Sequence, residues 1–432
     1  MQAPDRLQRQ ATPTGPQLPG RLPRLLPAGF AAGPASLAEH WARYGPLPSA
    51  GRDQWRPGAL IGEVERSGLT GRGGAGFPTA RKLAAVAAGH APVVVANGSE
   101  GEPASAKDKV LMARSPHLVL DGAVLAAEIV GARQAVIVVH HAVREIVDDA
   151  VAERRRAGSD RIRIRVVTAT DRFVGGEASA VIHWIERGIP LPTTTPPRPS
   201  ERGVGGRPTL VQNVETLAHL ALIGRYGAAW FRAVGTREEP GSMLVTILGA
   251  VHEPCVVEVG IGTVVEEVLR QADSPSAPLQ ALLLGGYFGN WVGAAAAALP
   301  FSSAGLATLG ASVGAGLIAA LPEDACGLAE TARVARYLAD ESAGQCGPCL
   351  FGLDAVAGQV EQIADGRSAD LSTLRRWLGQ VDGRGACRHP DGAARLIRSA
   401  LDVFGPELER HATGWCCATR KAHLLPVPLR RR

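Results

Sequence analysis

The feature that most constrains this chain is an alternation of short strand-like runs with longer segments of helical periodicity. The strand-like runs cover residues 92–97, 134–141 and 161–169. Segments 107–131 and 143–158 lie between them, and their apolar residues recur at the spacing of one helix face. Alternation of this length is typical of strand–helix–strand units, so the sequence predicts an α/β domain with a parallel sheet.

Two other patterns occupy the rest of the chain. Segments 242–251, 254–269 and 277–288 predict a compact domain of short strands around one helix. Beyond Pro322 the periodicity becomes helical and predicts a bundle of about four helices. The predicted fold class is therefore α/β, in which a parallel sheet domain is followed by a small β-rich domain and a C-terminal helical bundle.

The stretch from Ser274 to Pro322 contains no Asp, Glu, Lys or Arg and is long enough to suggest a membrane span. It is nevertheless rich in Ala and Gly, is interrupted by Pro300, and includes several Ser and Thr residues. We therefore interpret it as short buried strands and loops.

The net charge of +5 comes from the two ends of the chain. Residues 1–25 carry +3 and residues 418–432 carry +5, which leaves −3 for the rest. The body has no basic stripe with interleaved aromatic residues, so the composition does not predict nucleic-acid binding. The N-terminus lacks the apolar region of a signal peptide, and we expect a cytoplasmic protein.

A glycine-rich loop is the first motif that carries chemistry. Gly71, Gly73 and Gly76 match G-x-G-x-x-G, but they follow a predicted helix, which argues against a Rossmann fingerprint. Such a loop ahead of a helix, with Arg72 and Lys82 nearby, offers backbone N–H groups and positive charge to an anion. A flexible turn is the alternative.

A polar loop follows the first strand directly. Ligands of parallel α/β sheets bind at the carboxyl ends of strands, so Asn97, Glu100, Glu102 and Lys107 are expected to line a crevice. A solvated loop is the alternative. Three of the four lysines in the chain lie in this loop or the glycine motif, which favours the functional interpretation.

The cysteines indicate a metal or redox site. Seven cysteines in 432 residues are too few for a disulfide scaffold. Cys346 and Cys349 form a C-x-x-C pair, and Cys387 follows about forty residues later. Three thiolates fit an iron–sulfur cluster better than zinc when a fourth cysteine is missing. Thioredoxin-like chemistry is the alternative, although no βαβ unit follows the pair.

Several other polar residues are ambiguous. Glu177 follows two glycines and could bond a ligand, but helix capping explains it equally well. Cys416 and Cys417 could be metal ligands, although a buried helix end is the favoured interpretation. His140 and His141 end a predicted strand, and we interpret them as structural or surface residues.

The motifs resemble one family when they are taken in order. They are SGLTGRGGAGFPTARK, VVVANGSEGEPASAKD, GGEASAVIHWIE, RPTLVQNVETL and ESAGQCGPC. Over residues 37–410 the chain resembles the flavin- and NADH-binding subunit of respiratory complex I, and the related flavin subunits of NAD-linked hydrogenases and formate dehydrogenases. The resemblance implies hydride transfer from NADH to FMN and single-electron transfer onward through a [4Fe–4S] cluster.

The resemblance also implies a domain organisation. The parts are a flexible Pro/Arg-rich tail (1–35), an FMN- and NADH-binding α/β domain (36–238), a ubiquitin-like β-grasp domain (239–322), a helical iron–sulfur domain (323–415) and a basic tail (416–432).

Site residues are implied where the motifs match. The residues expected to contact FMN are Gly71, Arg72, Gly73, Gly74, Lys82, Asn97, Glu100, Gly176, Glu177 and Asn213. Glu102 and Phe77 are expected to face the nicotinamide dinucleotide during catalysis. Cys346, Cys349 and Cys387 are the expected cluster ligands.

The chain departs from the family pattern at five positions. Ala343 stands where the first cluster cysteine is usual, so the fourth ligand would be water, Cys326, Cys416 or Cys417, or the cluster would be incomplete or absent. Ser99 replaces an acidic residue beside the flavin, and Ala178 replaces a glutamate. Arg198 and Ala85 replace aromatic residues that would stack on NADH.

Loss of several stacking residues would weaken NADH binding, each by roughly 0.5–1.5 kcal/mol beyond area burial. Arg198 would favour a phosphorylated dinucleotide or another anionic substrate.

The expected function is a flavin-dependent oxidoreductase that passes electrons from NADH through FMN and a cluster to a quinone-linked or other acceptor. Its expected partners are ferredoxin-like or complex I-like redox subunits, with a membrane acceptor at the inner face of the membrane. Two alternatives remain open: a catalytically degenerate scaffold, and a flavoprotein that exchanges electrons with a membrane partner without NADH.

Overall fold

The structure is a computed structural model. It describes residues 22–26, 33–47, 56–367, 370–414, 418–419 and 423–428.

A four-stranded parallel sheet forms the centre of the first domain. Its strands are β1 (Val93–Gly98), β2 (Gln134–Val139), β3 (Arg163–Thr168) and β4 (Thr209–Asn213). The strand order is β3-β2-β1-β4. The chain therefore adds β2 and β3 on one side of β1 and then places β4 on the other side. Such a reversal opens a crevice at the carboxyl ends of the two strands on either side of it, β1 and β4.

Helices cover both faces of this sheet. They are α1 (Leu37–Tyr44), α2 (Pro57–Ser67), α3 (Thr79–Ala87), α4 (Lys107–Arg114), α5 (Pro116–Val130), α6 (Arg144–Arg156), α7 (Ala178–Arg187) and α8 (Val214–Arg232). Helix α7 packs on one face through Val181, Ile182 and Ile185, whereas α5 and α8 belong to the larger core on the other face.

The single helix predicted over 107–131 is wrong, because the segment forms two helices. Helices α4 and α5 meet at an angle of 97° around Ser115. Pro116 has no N–H group and cannot continue α4, but it suits the first turn of α5. No single helix in the described ranges is long and apolar enough to cross a membrane, and this bent pair meets that criterion only jointly.

The second domain is a mixed sheet of order β6-β5-β9-β7-β8. Its elements are β5 (Ser242–Gly249), β6 (Cys255–Gly260), α9 (Val265–Arg270), β7 (Leu279–Leu284), β8 (Asn290–Gly293), α10 (Ser303–Leu306) and β9 (Leu317–Pro322). Helix α9 packs on one face through Val265, Val268 and Leu269. The uncharged stretch 274–322 forms β7, β8 and β9, which confirms the prediction of short buried strands.

A helical bundle covers the other face of the second sheet, where Leu283 and Leu317 join its core. The helices are α11 (Gly327–Asp340), α12 (Leu353–Ala364), α13 (Leu371–Val381), α14 (His389–Val403) and α15 (Gly405–Ala412). The described bundle has five helices rather than the predicted number of about four, because the segment after Arg388 forms two helices that are divided at Phe404. A single π-helical turn, Pro348–Gly352, leads into α12.

Parts of both predicted tails are packed against the folded domains. Leu25 and Leu26 are buried, and the backbone N–H groups of Arg24 and Leu25 both donate to Glu258 Oε2 at 2.6 Å. At the other end, Leu425 is buried and its N–H donates to Glu330 Oε2 at 3.1 Å. The N-terminal segment predicted to be a flexible tail (1–35) is therefore packed at residues 22–26, and the predicted basic tail (416–432) is packed at Leu425.

The contact between α5 and α8 leaves no space for a side chain at Gly122. A Cβ atom there would lie 2.0 Å from the carbonyl oxygen of Leu217. Gly122→Ala should therefore lower the free energy of unfolding by about 1–3 kcal/mol, as overpacked cores do. The measurement is urea unfolding followed by circular dichroism.

Gly379→Ala is the matched control, because Gly379 is also in a helix and a Cβ atom there would meet nothing within 4 Å. Alanine has the higher helix propensity, so this variant should be more stable by roughly 0.5–1 kcal/mol. Equal effects of the two substitutions would contradict the packing argument.

Candidate functional site

A cleft of about 740 Å³ opens at the carboxyl ends of β1 and β4. Its walls come from all three parts of the fold: the glycine loop before α3, the loop after β1, the loop before α7, the turn after β7, and the start of α14. This is the crevice that the reversal of strand order creates, and its volume is typical of a site for a small ligand.

Most of the predicted site residues line this cleft. They are Gly71, Gly73, Gly74, Phe77, Lys82, Asn97, Glu100, Glu102, Gly176, Glu177, Asn213 and Cys387. The structure brings them together from segments that are up to about 300 residues apart in the sequence. Arg72, Cys346 and Cys349 are not among the lining residues.

One end of the cleft is suited to an anion. Lys82, in the first turns of α3, donates from Nζ to the carbonyl oxygen of Val211 at 3.0 Å. An ammonium group has three donors, and within the described ranges no charged group contributes to the ionisation of this one. Burial lowers the pKa of Lys82. A half-buried cation of this kind is stabilised by a bound anion such as a phosphate.

The glycine loop lets the backbone form the cleft wall. Gly74 has a φ of +99°, a conformation that residues with a side chain rarely adopt. A Cβ atom at Gly73 would lie 3.4 Å from the Cβ of Asn213, so a larger residue would narrow the cleft beside β4. The loop is closed by the N–H of Gly71, which donates to the carbonyl oxygen of Phe77 at 2.9 Å. Phe77 itself is 42% exposed.

Two asparagines mark the ends of β1 and β4. Asn97 and Asn213 are directly paired in the register of these strands. Asn97 Nδ2 donates to the carbonyl oxygen of Gly176 at 2.9 Å, and Asn213 Oδ1 accepts from the N–H of Glu215 at the start of α8. Both side chains hold neighbouring loops in place and thereby shape the cleft.

Three residues that were predicted to contact the cofactor have side chains that form hydrogen bonds to other groups of the protein. The Arg72 guanidinium donates to Thr70 Oγ1 at 3.0 Å and to the carbonyl oxygen of Pro240 at 3.3 Å, outside the cleft. The Glu100 oxygens accept from the N–H groups of Asp108 and Lys109, at the start of α4. These hydrogen bonds hold the two side chains within the protein, and a contact of either residue with a cofactor stays a prediction.

Glu177 is the third of these residues. Its Oε2 accepts from the N–H groups of Ser179 at 2.8 Å and Ala180 at 3.0 Å, which caps α7. The capping explanation considered from the sequence is thus confirmed.

Glu102 brings a carboxyl group with unusual ionisation to the cleft. Its Oε2 accepts from the N–H of Tyr287 at 2.9 Å, and the backbone of Ala104 also bonds to the carboxylate, whereas Oε1 is enclosed. Burial raises the pKa of Glu102 to about 7, although the bonds from Tyr287 and Ala104 oppose the change. A carboxyl that exchanges its proton near neutral pH in the wall of a cleft is typical of a functional group.

A buried ion network supports the cleft from behind. Lys107 Nζ donates to Asp108 Oδ1 at 2.7 Å and to Glu215 Oε2 at 2.9 Å. Asn213 Nδ2 donates to Asp108 Oδ2 at 2.7 Å, and Glu215 Oε1 accepts from the N–H of Leu244 at 2.8 Å. Sequence reasoning placed Lys107 at the crevice but missed its partners, since Glu215 is more than 100 residues away.

An aromatic wall, formed by Phe173, Phe288 and His389, was also missed. The ring centroids of Phe173 and Phe288 are 4.8 Å apart, and that of His389 lies 5.7 Å and 5.4 Å from them. All three residues line the cleft. The glycines on either side of Tyr287–Phe288 (Gly285, Gly286 and Gly289) could have been used to predict a turn here that approaches the site.

The three predicted metal-ligating cysteines lie together beside the cleft. Cys346 and Cys349 belong to the segment that enters the π-helical turn, and Cys387 lies just before α14. Burial, together with the nearby thiols of Cys346 and Cys387, raises the pKa of Cys349 to about 12. Neutral, clustered thiols require a cationic group to become thiolates.

These thiols are too far apart to share one ion. One group of three potential ligands in the described ranges has all its ligand atoms within 4.8 Å of one another, and it is not the group of cysteines. It consists of His140, His141 and Asp171, and two of these residues are exposed. The three sulfur atoms suit a polynuclear iron–sulfur group better than a single zinc ion.

The comparisons with known proteins agree with this geometry. The family model described as Nuo51 FMN-binding domain matches residues 64–222. The family model described as NADH-ubiquinone oxidoreductase-F iron-sulfur binding region matches residues 329–411.

Two relatives are similar over most of their length. The F 2 subunit of the NADH-quinone oxidoreductase of Rhizobium meliloti (strain 1021) is 29% identical over 380 residues, which are 83% of this chain and 90% of that protein. The F subunit of the NADH-quinone oxidoreductase of Streptomyces coelicolor is 30% identical over 379 residues, which are 84% of each chain.

A chain of an NAD+-reducing [NiFe]-hydrogenase in the H2-reduced state has a similar structure. The TM-score is 0.77 and the sequence identity is 32%. The match covers 82% of this chain and 63% of the hydrogenase chain, so this chain spans less than two thirds of that protein.

The fold and the cleft, with the three thiols beside it, fit the class of redox flavoproteins that have an iron–sulfur-binding region. The chain belongs to the family of the F subunits of NADH-quinone oxidoreductase. It is an NADH dehydrogenase-type flavoprotein oxidoreductase with the FMN-binding and iron–sulfur-binding regions of that family, which confirms the resemblance seen in the sequence.

The positions that depart from the family pattern lie in different places. Ala178 lines the cleft, and Ser99 is buried with its hydroxyl donating to Asn97 Oδ1 at 2.8 Å. Ala85 and Arg198 are exposed and are not among the lining residues. The changes to the cleft wall are therefore fewer than the sequence suggests.

The ionisation of Glu102 predicts a pH-dependent stability. The folded carboxyl keeps its proton up to about pH 7, whereas the unfolded one releases it near its ordinary pKa of 4.5. The folded state therefore loses stability as the pH rises between these values. Glu102→Gln should raise the free energy of unfolding at pH 8 by about 1–3 kcal/mol and leave it nearly unchanged at pH 4.

Urea unfolding of flavin-free protein at both pH values measures this effect. Glu323→Gln is the control, because Glu323 is exposed and should show no pH-dependent gain. An equal gain for Glu102→Gln at pH 4 and pH 8 would refute the proposed ionisation.

Proposed function

We propose that the cleft holds FMN, with the phosphate against Lys82 and the N-terminus of α3 and the flavin ring between the glycine loop and the ends of β1 and β4. The observation that carries this proposal is the Lys82 ammonium, which lines the cleft with a single described hydrogen bond. The bound FMN would accept a hydride from NADH and release its two electrons one at a time.

The residues of this chain would orient the reactants and control solvent. Phe77, at the open side of the cleft, offers a face for stacking of the nicotinamide dinucleotide. Glu102, which also lines the cleft, would offer a hydrogen bond to the same ligand. Phe173, Phe288 and His389 form an aromatic part of the wall that would reduce the access of water to the bound reactants.

Cys387 supports an electron route from the cleft to the cluster. It lines the cleft, and burial together with the nearby Cys346 raises the pKa of its thiol. A cluster held by these cysteines would lie next to the flavin. Leu350 and Phe351, just beyond Cys349, are 54% and 75% exposed and offer an apolar contact to a partner redox subunit.

The final acceptor belongs to the proposal as well. The names of the relatives include quinone, and their chains are subunits, so a quinone-linked chain of partner subunits is the acceptor we propose. A peripheral position at the inner face of the membrane would follow from such an acceptor.

A degenerate scaffold is the second candidate function. The observation that favours it is the presence of Ala178 in the cleft wall and Ala343 near the cysteines, since neither methyl group can replace a carboxylate or a thiolate.

Anaerobic absorption spectroscopy of FMN-reconstituted protein separates these functions. We expect a bound-flavin spectrum that bleaches when NADH is added. A flavin spectrum that stays oxidised with NADH but bleaches with dithionite would favour an electron-transfer protein with another donor. Failure of the folded protein to bind FMN would leave the scaffold function.

Lys82→Gln tests the phosphate position. Loss of a charge-assisted hydrogen bond costs about 1.5–3 kcal/mol, so FMN should bind about 10- to 100-fold more weakly. Riboflavin, which lacks the phosphate, should bind both proteins equally. Fluorescence quenching titrations measure both affinities.

Lys109→Gln is the matched control, because Lys109 is in the next helix and outside the cleft lining. Its FMN affinity should remain near that of the unmodified protein. Equal weakening of FMN and riboflavin binding by Lys82→Gln would contradict a phosphate contact.

A further inference from the structure

Ala343 is in direct contact with the group of cysteines. Its backbone hydrogen-bonds to the Cys349 thiol, and Cys349 in turn lies near Cys346 and Cys387. Ala343, Cys346 and Cys349 are separated by two residues each, which is a spacing found among cysteine ligands of iron–sulfur clusters. The first position of this series has no donor atom.

Cys326 is too distant to replace the missing ligand. It caps the N-terminus of α11, where its sulfur accepts from the N–H of Ala329 at 3.3 Å and lies 3.5 Å from both Glu407 Oε2 and His411 Nε2. Ala343 follows the C-terminus of α11. A helix of 14 residues is about 20 Å long, so the two positions are separated by that length.

The other polar residues around Ala343 are bonded elsewhere. Glu341 Oε2 accepts from Arg172 Nε at 3.0 Å and from the N–H of Phe173 at 2.9 Å. Gln345 Nε2 donates to the carbonyl oxygen of Pro192 at 2.9 Å. His389 Nε2 bonds to the carbonyl oxygen of Leu338 at 2.7 Å, and its ring packs against Phe173 and Phe288.

The segment is also open to solvent. Gly344 and Gln345 are exposed, and Ala343 and Gly347 are at least partly exposed. A small molecule can therefore reach the position that a cysteine side chain would otherwise occupy.

We propose that the iron–sulfur centre is held by Cys346, Cys349 and Cys387 alone, and that one iron beside Ala343 takes an exogenous small ligand, either solvent or a thiol. This inference rests on the proposed cluster-binding role of the three cysteines. It adds a ligand-exchange site that a cluster with four cysteine ligands lacks.

A three-cysteine cluster loses its fourth iron under mild oxidation. One-electron oxidation of a [4Fe–4S] cluster in the 2+ state by ferricyanide releases one Fe²⁺ and leaves a [3Fe–4S] cluster in the 1+ state. The electron passes to ferricyanide, and the sulfide and the three thiolates stay in place.

The test uses the full chain, reconstituted anaerobically with Fe²⁺ and sulfide. We expect about four irons per chain before treatment with one equivalent of ferricyanide and about three after removal of the released iron. Electron paramagnetic resonance should show the signal of a [3Fe–4S] cluster. Addition of Fe²⁺ with dithionite should restore the fourth iron.

Ala343→Cys supplies the missing thiol and is the decisive variant. It should keep about four irons under the same oxidation and show no [3Fe–4S] signal. A small thiol such as 2-mercaptoethanol should change the spectrum of the reduced cluster in the unmodified protein and not in this variant. Cys326→Ser is the control and should behave as the unmodified protein does.

Two results would overturn the proposal. One is an unmodified protein that keeps four irons under oxidation. The other is a cluster that loses iron only after His389→Phe, or only after the double substitution of Cys416 and Cys417, which lie outside the described residues. Either result would identify a fourth ligand from the protein. If the unmodified protein and Ala343→Cys bind no iron at all, the cluster-binding role itself fails, which is a distinct outcome.

Discussion

The buried Lys107 ammonium is the interaction on which the site depends. It joins Asp108 at the start of α4 to Glu215 in the first turn of α8, and Glu215 in turn accepts from the backbone of β5 in the second domain. Burial lowers the pKa of Lys107, but the two carboxylates outweigh it, so the pKa lies above its usual value. Loss of one partner from such a buried pair typically costs about 3–5 kcal/mol. The cleft therefore keeps its shape because the Lys107 ammonium and its carboxylate partners connect α4, α8 and β5.

The sheet and the glycine loop could be predicted from local patterns, because strand–helix alternation and glycine density are visible within short windows of sequence. The directions in which the side chains of Arg72, Glu100 and Glu177 point could not be predicted. Each of them forms a hydrogen bond inside the protein that competes with a bond to a ligand. The aromatic wall could not be predicted either, since Phe173, Phe288 and His389 come from separate domains and meet only after the domains pack together.

The cleft has the residues proposed to hold the phosphate, and differs at other positions from the pattern that the sequence resemblance implies. Lys82, Asn97 and the glycines are present in the lining, whereas Ala178 stands in the wall where the resemblance implies a carboxylate, and Ala343 stands where it implies a thiol. At these two positions a methyl group takes the place of a charged or ligating group, so space becomes available without a new steric obstacle. The architecture that shapes the cleft is therefore compatible with both alanines.

The anchored segment at residues 22–26 has a consequence for how the chain is made. Arg24 bonds through its backbone to Glu258, 234 residues later, and its guanidinium donates to the carbonyl oxygens of Trp230 and Phe231. Synthesis at about 5–20 residues per second delays the arrival of Glu258 by roughly 10–50 s. During that interval the backbone N–H groups of Arg24 and Leu25 lack the carboxylate that accepts from them in the finished protein. The first described segment of the chain therefore completes its hydrogen bonds only after more than half of the protein has been made.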